Sequence, residues 1–251
     1  MDFFNSFDFS SFQWLLIIIT AFIIGLARIG VTGIVMLVIP ILASEFGGKE
    51  STGIILPLLI LGDIFAVTYY RKHADWSIIK KLLPWTLAGV ALGAVVGNYI
   101  NDSQFKTLIA IIVIICLAIL LFIERKGNKA NIPESQLLSA LAGIGTGFSS
   151  MIGNAAGPIF SVFLLSKGFK KFDFMGTSAW FFLIINQIKI PLHVFVWHNI
   201  SVKSFLTAGL MLPAIALGAF VGAVIIKKLN ERFFHYFVIV LTAISAIRLL
   251  F

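Results

Sequence analysis

Long apolar stretches fill most of this chain, and short polar or basic segments separate them. Runs such as 108–123 and 206–226 contain no charged residue, and their lengths approach the roughly 20 residues with which a helix crosses a bilayer. The pattern therefore predicts an all-α polytopic membrane protein. The apolar stretches lie at about 12–46, 52–70, 78–100, 104–123, 137–167, 172–196, 201–226 and 232–250.

Two of these stretches, 12–46 and 137–167, contain glycine-rich breaks near their middles, at residues 28–33 and 145–158. One unbroken helix over 12–46 would be about 52 Å long, whereas the hydrocarbon core of a bilayer is about 30 Å thick. Two arms of about 25 and 20 Å could instead pass the midplane and return. We therefore expect each stretch to form a re-entrant or broken-helix hairpin.

The placement of basic residues supports a hairpin in the second half. Thirteen of the 19 Lys and Arg residues lie in four short segments, and basic loops remain in the cytoplasm. If all eight stretches were simple crossings, the loop and terminal charges would divide 9 against 8, but a hairpin at 137–167 divides them 13 against 4. The predicted cytoplasmic segments are 71–81, 125–129, 167–171 and 227–232.

The chain also contains an internal repeat. An offset of 125 residues aligns Thr52 with Thr177, His73 with His198, Gly93 with Gly218 and Gly97 with Gly222. Each half then reads as a hairpin followed by three spans, and because three crossings invert the second half, we predict two inverted repeats with a binding site between the hairpin tips. The spaced glycines predict close helix contacts. The repeats cover 12–123 and 137–250 of a single membrane transport domain, 1–251.

Composition agrees with this class and excludes others. The chain is 59% hydrophobic and 12% charged, with a mean hydropathy of +1.03, a balance that no soluble domain of this size carries. It shows no nucleophile–base set, no metal-ligand cluster and no nucleotide-binding loop. We therefore expect no enzyme activity, no cofactor, no metal and no nucleic-acid partner, and we attribute the net charge of +8 to the basic loops.

The hairpin tips are the predicted anion site. The second arm of a broken helix begins with free N–H groups, which suit an anion. Arg28 adds a permanent charge and a planar fork of donors, and the second tip and the span 172–196 add neutral and basic groups. The predicted substrate-binding residues are Arg28, Gly30, Thr32, Gly33, Ser149, Ser150, Asn154, Asn186, Gln187 and Lys189.

Simpler roles remain open for several of these residues. The tip hydroxyls and amides could serve only the broken backbone, and Arg28 could snorkel to the interface or pair with Asp63. Asp63 and His193 are the candidates for a coupling proton, with pairing to a cation as the alternative for Asp63.

The paired breaks resemble those of a known family. Gly25, Gly30, Gly33 and Pro40 in the first half, with Gly147, Gly153, Gly157 and Pro158 in the second, are similar to the TauE/SafE sulfite exporters, also called the sulfonate uptake permease family. Gly176-Thr177-Ser178 and Gly218-xxx-Gly222 agree with it, and the likeness covers essentially the whole chain.

The resemblance implies a secondary transporter in the bacterial inner membrane. Its partners would be the lipid bilayer and a small anion such as sulfite, thiosulfate or a C2 sulfonate, moved by alternating access. The tips here lack the family's consecutive glycines, so we expect Thr32 and Asn154 to shape the pocket. The alternatives are transport of another small anion, such as a carboxylate, and a membrane accessory subunit that transports nothing.

Overall fold

The computed structural model describes residues 9–30, 34–101, 103, 104, 107, 136–228, 230, 233, 236 and 240. In this part of the chain the regular structure is helical, with no β-strand. A 3₁₀ turn at Ile34–Leu37 separates the first two α-helices. The α-helices are α1 (Ser11–Ile29), α2 (Ile39–Phe46), α3 (Gly48–Tyr70), α4 (Trp76–Val96), α5 (Gln136–Gly153), α6 (Gly157–Ser166), α7 (Lys171–Phe195), α8 (Val202–Leu210) and α9 (Leu212–Lys228).

Four of these helices are long and apolar enough to cross a membrane: α1, α3, α4 and α7. The helices α8 and α9 meet the same criterion as a pair, with a bend of 51° between them. The sequence predicted a span at 201–226, and the structure divides it into these two helices. Pro213 is the second residue of α9, and it explains the bend because proline has no N–H with which to continue the preceding helix.

Both predicted breaks are present in the structure. Helix α1 ends at Ile29, and α5 ends at Gly153. After α5, Asn154 adopts a left-handed backbone conformation with φ of 53°, which asparagine tolerates better than most residues. The N–H of Ala155 then donates to the carbonyl of Ser149 at 3.2 Å, which closes the end of the helix before α6 begins.

Several predictions fall outside the described residues. These are the third span of each half at 104–123 and 232–250, apart from a few single positions, the basic segment 125–129, and Thr32 and Gly33 in the first break.

Helices of the two predicted halves pack in exchanged pairs, meaning that each pair contains one helix from each half. Helix α1 lies along α9, and α4 lies along α5. A side chain at Gly25 of α1 would overlap the carbonyl oxygen of Ile215, and one at Gly147 of α5 would overlap that of Thr86. The same overlap applies to Gly218, which faces Phe22. The predicted role of glycines in close helix packing is therefore confirmed.

The long helices α3 and α7 pack against each other at a crossing, where hydrogen bonds near both ends show that they run antiparallel. At one end of the crossing, Asn199 Nδ2 donates to Thr52 Oγ1 at 3.1 Å. At the other end, the backbone N–H of Asp75 donates to Thr177 Oγ1 at 2.9 Å. The crossing buries Asp63, Asn186 and Lys189, which lie between these two ends.

Candidate functional site

Arg28 forms an ion pair in the interior. It lies in the last turn of α1, and its Nε is 3.0 Å from Oδ1 of Asp63, a fully buried residue of α3. The guanidinium carbon also lies 5.0 Å from the ring centroid of Phe182 on α7, which is within cation–π range. Gly62 leaves room for this side chain, since a Cβ there would be 3.1 Å from Arg28 Cγ.

Lys189 of α7 is completely buried and fully hydrogen-bonded. Its ammonium donates to Asn154 Oδ1 at 2.6 Å, to Ser150 Oγ at 3.2 Å and to Asn186 Oδ1 at 3.3 Å. An ammonium has three donor hydrogens, so these three acceptors satisfy it. The end of α5, the second break and α7 thus bring four of the predicted residues together around one charge.

Asn186 joins Lys189 to the ion pair. Its amide nitrogen donates to Asp63 Oδ2 at 2.7 Å, while its amide oxygen accepts from Lys189. One polar network therefore runs from Arg28 through Asp63 and Asn186 to Lys189. In their ordinary ionised forms the network contains two cations and one carboxylate, which leaves one excess positive charge within the protein.

A cavity of about 60 Å³ adjoins this network. One water needs roughly 10–15 Å³ measured in this way, so the cavity has room for a ligand of a few heavy atoms. Its polar lining residues are Arg28, Ser150, Asn154, Ser161, Ser178 and Asn186, and the others are Ala27, Val35, Leu59, Ala156, Gly157, Met175, Ala179 and Phe182.

The model of the TauE/SafE sulfite exporter family matches residues 16–249, which is most of the chain and includes every residue of this network. The chain belongs to the TauE/SafE sulfite exporter family. This confirms the resemblance seen in the paired breaks, and it makes the protein a multi-pass membrane transporter of the sulfur-anion exporter type. Comparison with curated proteins and with solved structures gives no match.

Some predicted site residues of this TauE/SafE protein do not reach the cavity. The Ser149 hydroxyl donates to the carbonyl of Gly145 at 2.6 Å, within α5. Gln187 is exposed on the outer side of α7. Gly30 packs on α9, where a Cβ would lie 2.5 Å from the carbonyl oxygen of Gly222.

The lining residues that were absent from the predicted site include Ser161, Ser178 and Phe182. A helical stripe on α7 could have revealed two of them. Ser178, Phe182, Asn186 and Lys189 follow each other at intervals of three or four residues, and such positions share one face of a helix.

His193 lies one turn beyond Lys189 and is completely buried. Its Nδ1 is 3.0 Å from Oδ1 of Asn199, whose amide nitrogen donates to Thr52 Oγ1. The oxygen of Asn199 therefore accepts, Nδ1 carries the hydrogen, and Nε2 is an acceptor without a partner among the described residues. The coupling role of Asp63 and His193 stays a prediction.

Proposed function

We propose that this TauE/SafE protein is a secondary transporter that binds sulfite, thiosulfate or a C2 sulfonate in the cavity beside Arg28. The observation that carries the proposal is the buried network of two cations and one carboxylate, of which Arg28 and Asn186 line that cavity. The excess charge requires a counter-ion, and the cavity offers the space for one.

The electrostatics favour an anion. A positive charge held within a membrane protein is costly unless a negative charge approaches it. The Nε of Arg28 lies beside Asp63, and Arg28 also lines the cavity, so its two terminal nitrogens can reach a ligand there. These two nitrogens belong to a planar fork that binds two oxygens of one oxyanion. An anion in the cavity would therefore complete the coordination of Arg28.

The cavity suits a small ion that cannot lose its charge. A sulfonate stays ionised at any cellular pH, so protein donors must replace its hydration shell. The Ser150 hydroxyl accepts from Lys189, which leaves its own hydrogen available to donate. The description of the family as sulfite exporters favours a sulfur oxyanion and outward movement.

We further propose that the two halves are inverted repeats that rock about the α3–α7 crossing. The exchanged pairing of α1 with α9 and of α4 with α5 supports a two-fold relation. The equivalent contacts of Thr52 and Thr177 at opposite ends of the crossing support it too. On this scheme the hairpins enter from opposite faces of the bacterial inner membrane, the four basic segments are cytoplasmic, and rocking gives alternating access.

Thermal unfolding of the purified protein tests the proposal. We would compare sulfite, thiosulfate, methanesulfonate, isethionate, sulfate, acetate and lactate at equal ionic strength. A ligand at a hundredfold excess over its Kd stabilises the folded state by roughly 2.7 kcal/mol. We expect a rise in unfolding temperature with at least one sulfur oxyanion, and movement of the same ion across proteoliposomes that contain only this chain.

Two results would replace the proposal. Stabilisation by carboxylates alone would assign a different anion to the same cavity. Binding without flux, together with flux when a second membrane protein is added, would identify an accessory subunit.

A further inference from the structure

Ser178 of α7 has a buried hydroxyl with nothing to bind. The residue is 6% exposed, and its Oγ has no hydrogen-bond partner within the described residues. Buried polar groups are paired in the great majority of cases, so an unpaired one requires an explanation. Ser178 lines the same cavity as Arg28.

Other helical hydroxyls in this protein behave differently. A serine or threonine within a helix commonly donates to the carbonyl four residues earlier. Ser149, Thr68, Thr86 and Thr207 all do so, at distances of 2.6 to 3.0 Å. The corresponding carbonyl for Ser178 belongs to Phe174, and the hydroxyl does not use it. Ser178 is thus a helical serine whose donor is left available.

The surroundings of Ser178 indicate what the hydroxyl can serve. Its neighbour Thr177 has a structural role, since it accepts a hydrogen bond from the backbone of Asp75. On the cavity side, Ser178 is accompanied by Ser161 of α6 and by Arg28. Rotation about one χ1 bond moves the hydroxyl among three staggered positions, so it can turn toward a ligand in the cavity without any change in the backbone.

We propose that Ser178 is a specificity-determining residue that donates a hydrogen bond to an oxygen of the bound anion. The inference rests on the proposed function, because it assumes that the cavity beside Arg28 holds the anion. Arg28 attracts any anion by its charge, whereas the Ser178 hydroxyl stabilises only a ligand that places an acceptor oxygen within hydrogen-bond distance. Ser178 would thereby favour compact oxyanions whose oxygens diverge from one central atom over flat or monoatomic anions.

The test uses two matched serine-to-alanine variants, Ser178→Ala and Ser51→Ala. Ser51 is 1% exposed, and its hydroxyl donates to the carbonyl of Gly48 at 2.8 Å, away from the cavity. Calorimetric titration with sulfite and with methanesulfonate gives the affinity of each variant, and thermal unfolding without ligand gives its stability. The variant Ser178→Cys keeps a weaker donor of similar size.

We expect the two variants to separate affinity from stability. Ser178→Ala should lower the affinity about tenfold and leave the unfolding temperature unchanged or higher, because an unpaired buried hydroxyl is removed. Ser51→Ala should lower the unfolding temperature and leave the affinity unchanged. Ser178→Cys should lie between wild type and Ser178→Ala in affinity.

Two outcomes would overturn the inference, and they differ from each other. If the wild type binds sulfite or methanesulfonate and Ser178→Ala binds it equally well, Ser178 has no role in binding while the proposed function stands. If the wild type binds neither anion nor any other member of the panel, the proposed function fails and this inference fails with it.

Discussion

The two halves of the molecule share a framework but contribute different chemistry. Their helices pack in exchanged pairs, yet Arg28 and Asp63 come from the first half, whereas Lys189 and its three hydrogen-bond partners come from the second. At the offset of 125 residues, Asp63 corresponds to Ile188, and Lys189 corresponds to Ile64. The packed helix pairs therefore form the framework, and residues that the offset does not repeat supply the charges of the buried network.

We expect the largest effect, loss of folded protein, from substitutions at the close helix contacts. These substitutions test whether the contacts are equally important in the two halves. Gly25→Leu and Gly147→Leu each place a side chain in the backbone of a partner helix. Overpacking costs typically 1–3 kcal/mol and more where the backbone must move, so we expect loss of folded protein in both variants. Size-exclusion chromatography and thermal unfolding measure this loss.

Gly209→Leu is the control for these variants, because nothing lies within 4 Å of a Cβ at that position. It should fold like the wild type. If only one of the other two variants failed to fold, the two halves would not be equivalent in packing.

Removing the buried carboxylate should have the next largest effect. Asp63→Asn leaves Arg28 and Lys189 without their shared counter-charge, and breaking a buried pair in this way costs about 3–5 kcal/mol. Because a bound anion replaces the missing charge, sulfite should raise the unfolding temperature of this variant by more than that of the wild type. Asp173→Asn, which changes an exposed carboxylate, should change neither quantity noticeably. An equal sulfite shift in Asp63→Asn and wild type would contradict this view of the charge balance.

Neutralising Lys189 tests directly whether the two halves contribute different charged groups to anion binding. Lys189→Met removes the excess positive charge and three hydrogen bonds. Opposite unit charges in a protein attract by about 4 kcal/mol at 4 Å and by less at longer distances, so losing the Lys189 charge should make sulfite bind about 10- to 100-fold more weakly in calorimetric titration. Ile64→Met changes the equivalent position of the first half and should bind sulfite like the wild type. A comparable loss of sulfite affinity in Lys189→Met and Ile64→Met would mean that both halves contribute to anion binding at this position.

The smallest effect concerns neighbouring residues on α7. Gln187 is exposed, so Gln187→Ala should change the unfolding free energy by less than about 0.5 kcal/mol and leave sulfite affinity unaltered. Asn186→Ala removes the link between Lys189 and Asp63 and should weaken sulfite binding at least severalfold. Equal sulfite affinities for Gln187→Ala and Asn186→Ala would show that the amide of Asn186 has no role in anion binding.

The comparison also shows what the sequence could predict. Glycine-rich breaks and interrupted apolar segments are local signals, and both breaks lie where they were expected. The gathering of Arg28, Ser150, Asn154, Asn186 and Lys189 follows because polar side chains avoid lipid and share the interior. Pro213 was a readable signal for the bend between α8 and α9 within the predicted span 201–226.

The orientation of individual side chains was harder to predict. In a soluble helix a polar face marks the side that faces water, but in a membrane both the lipid and the protein interior accept apolar residues. The stripe on α7 that contains Asn186 omits Gln187, but the sequence alone did not show that this stripe faces the interior. Nor did it show that the Ser149 hydroxyl bonds within α5 while the hydroxyl of Ser178 is left without a partner.

The most direct test of the central claim is sulfite titration of the double variant Arg28→Gln/Asp63→Asn. The two substitutions remove opposite charges together, so the net charge of the network is unchanged and only the guanidinium fork and its partner carboxylate are lost. We predict a protein that unfolds near the wild-type temperature and no longer binds sulfite. Binding as tight as that of the wild type would contradict the assignment of the anion to the cavity beside Arg28.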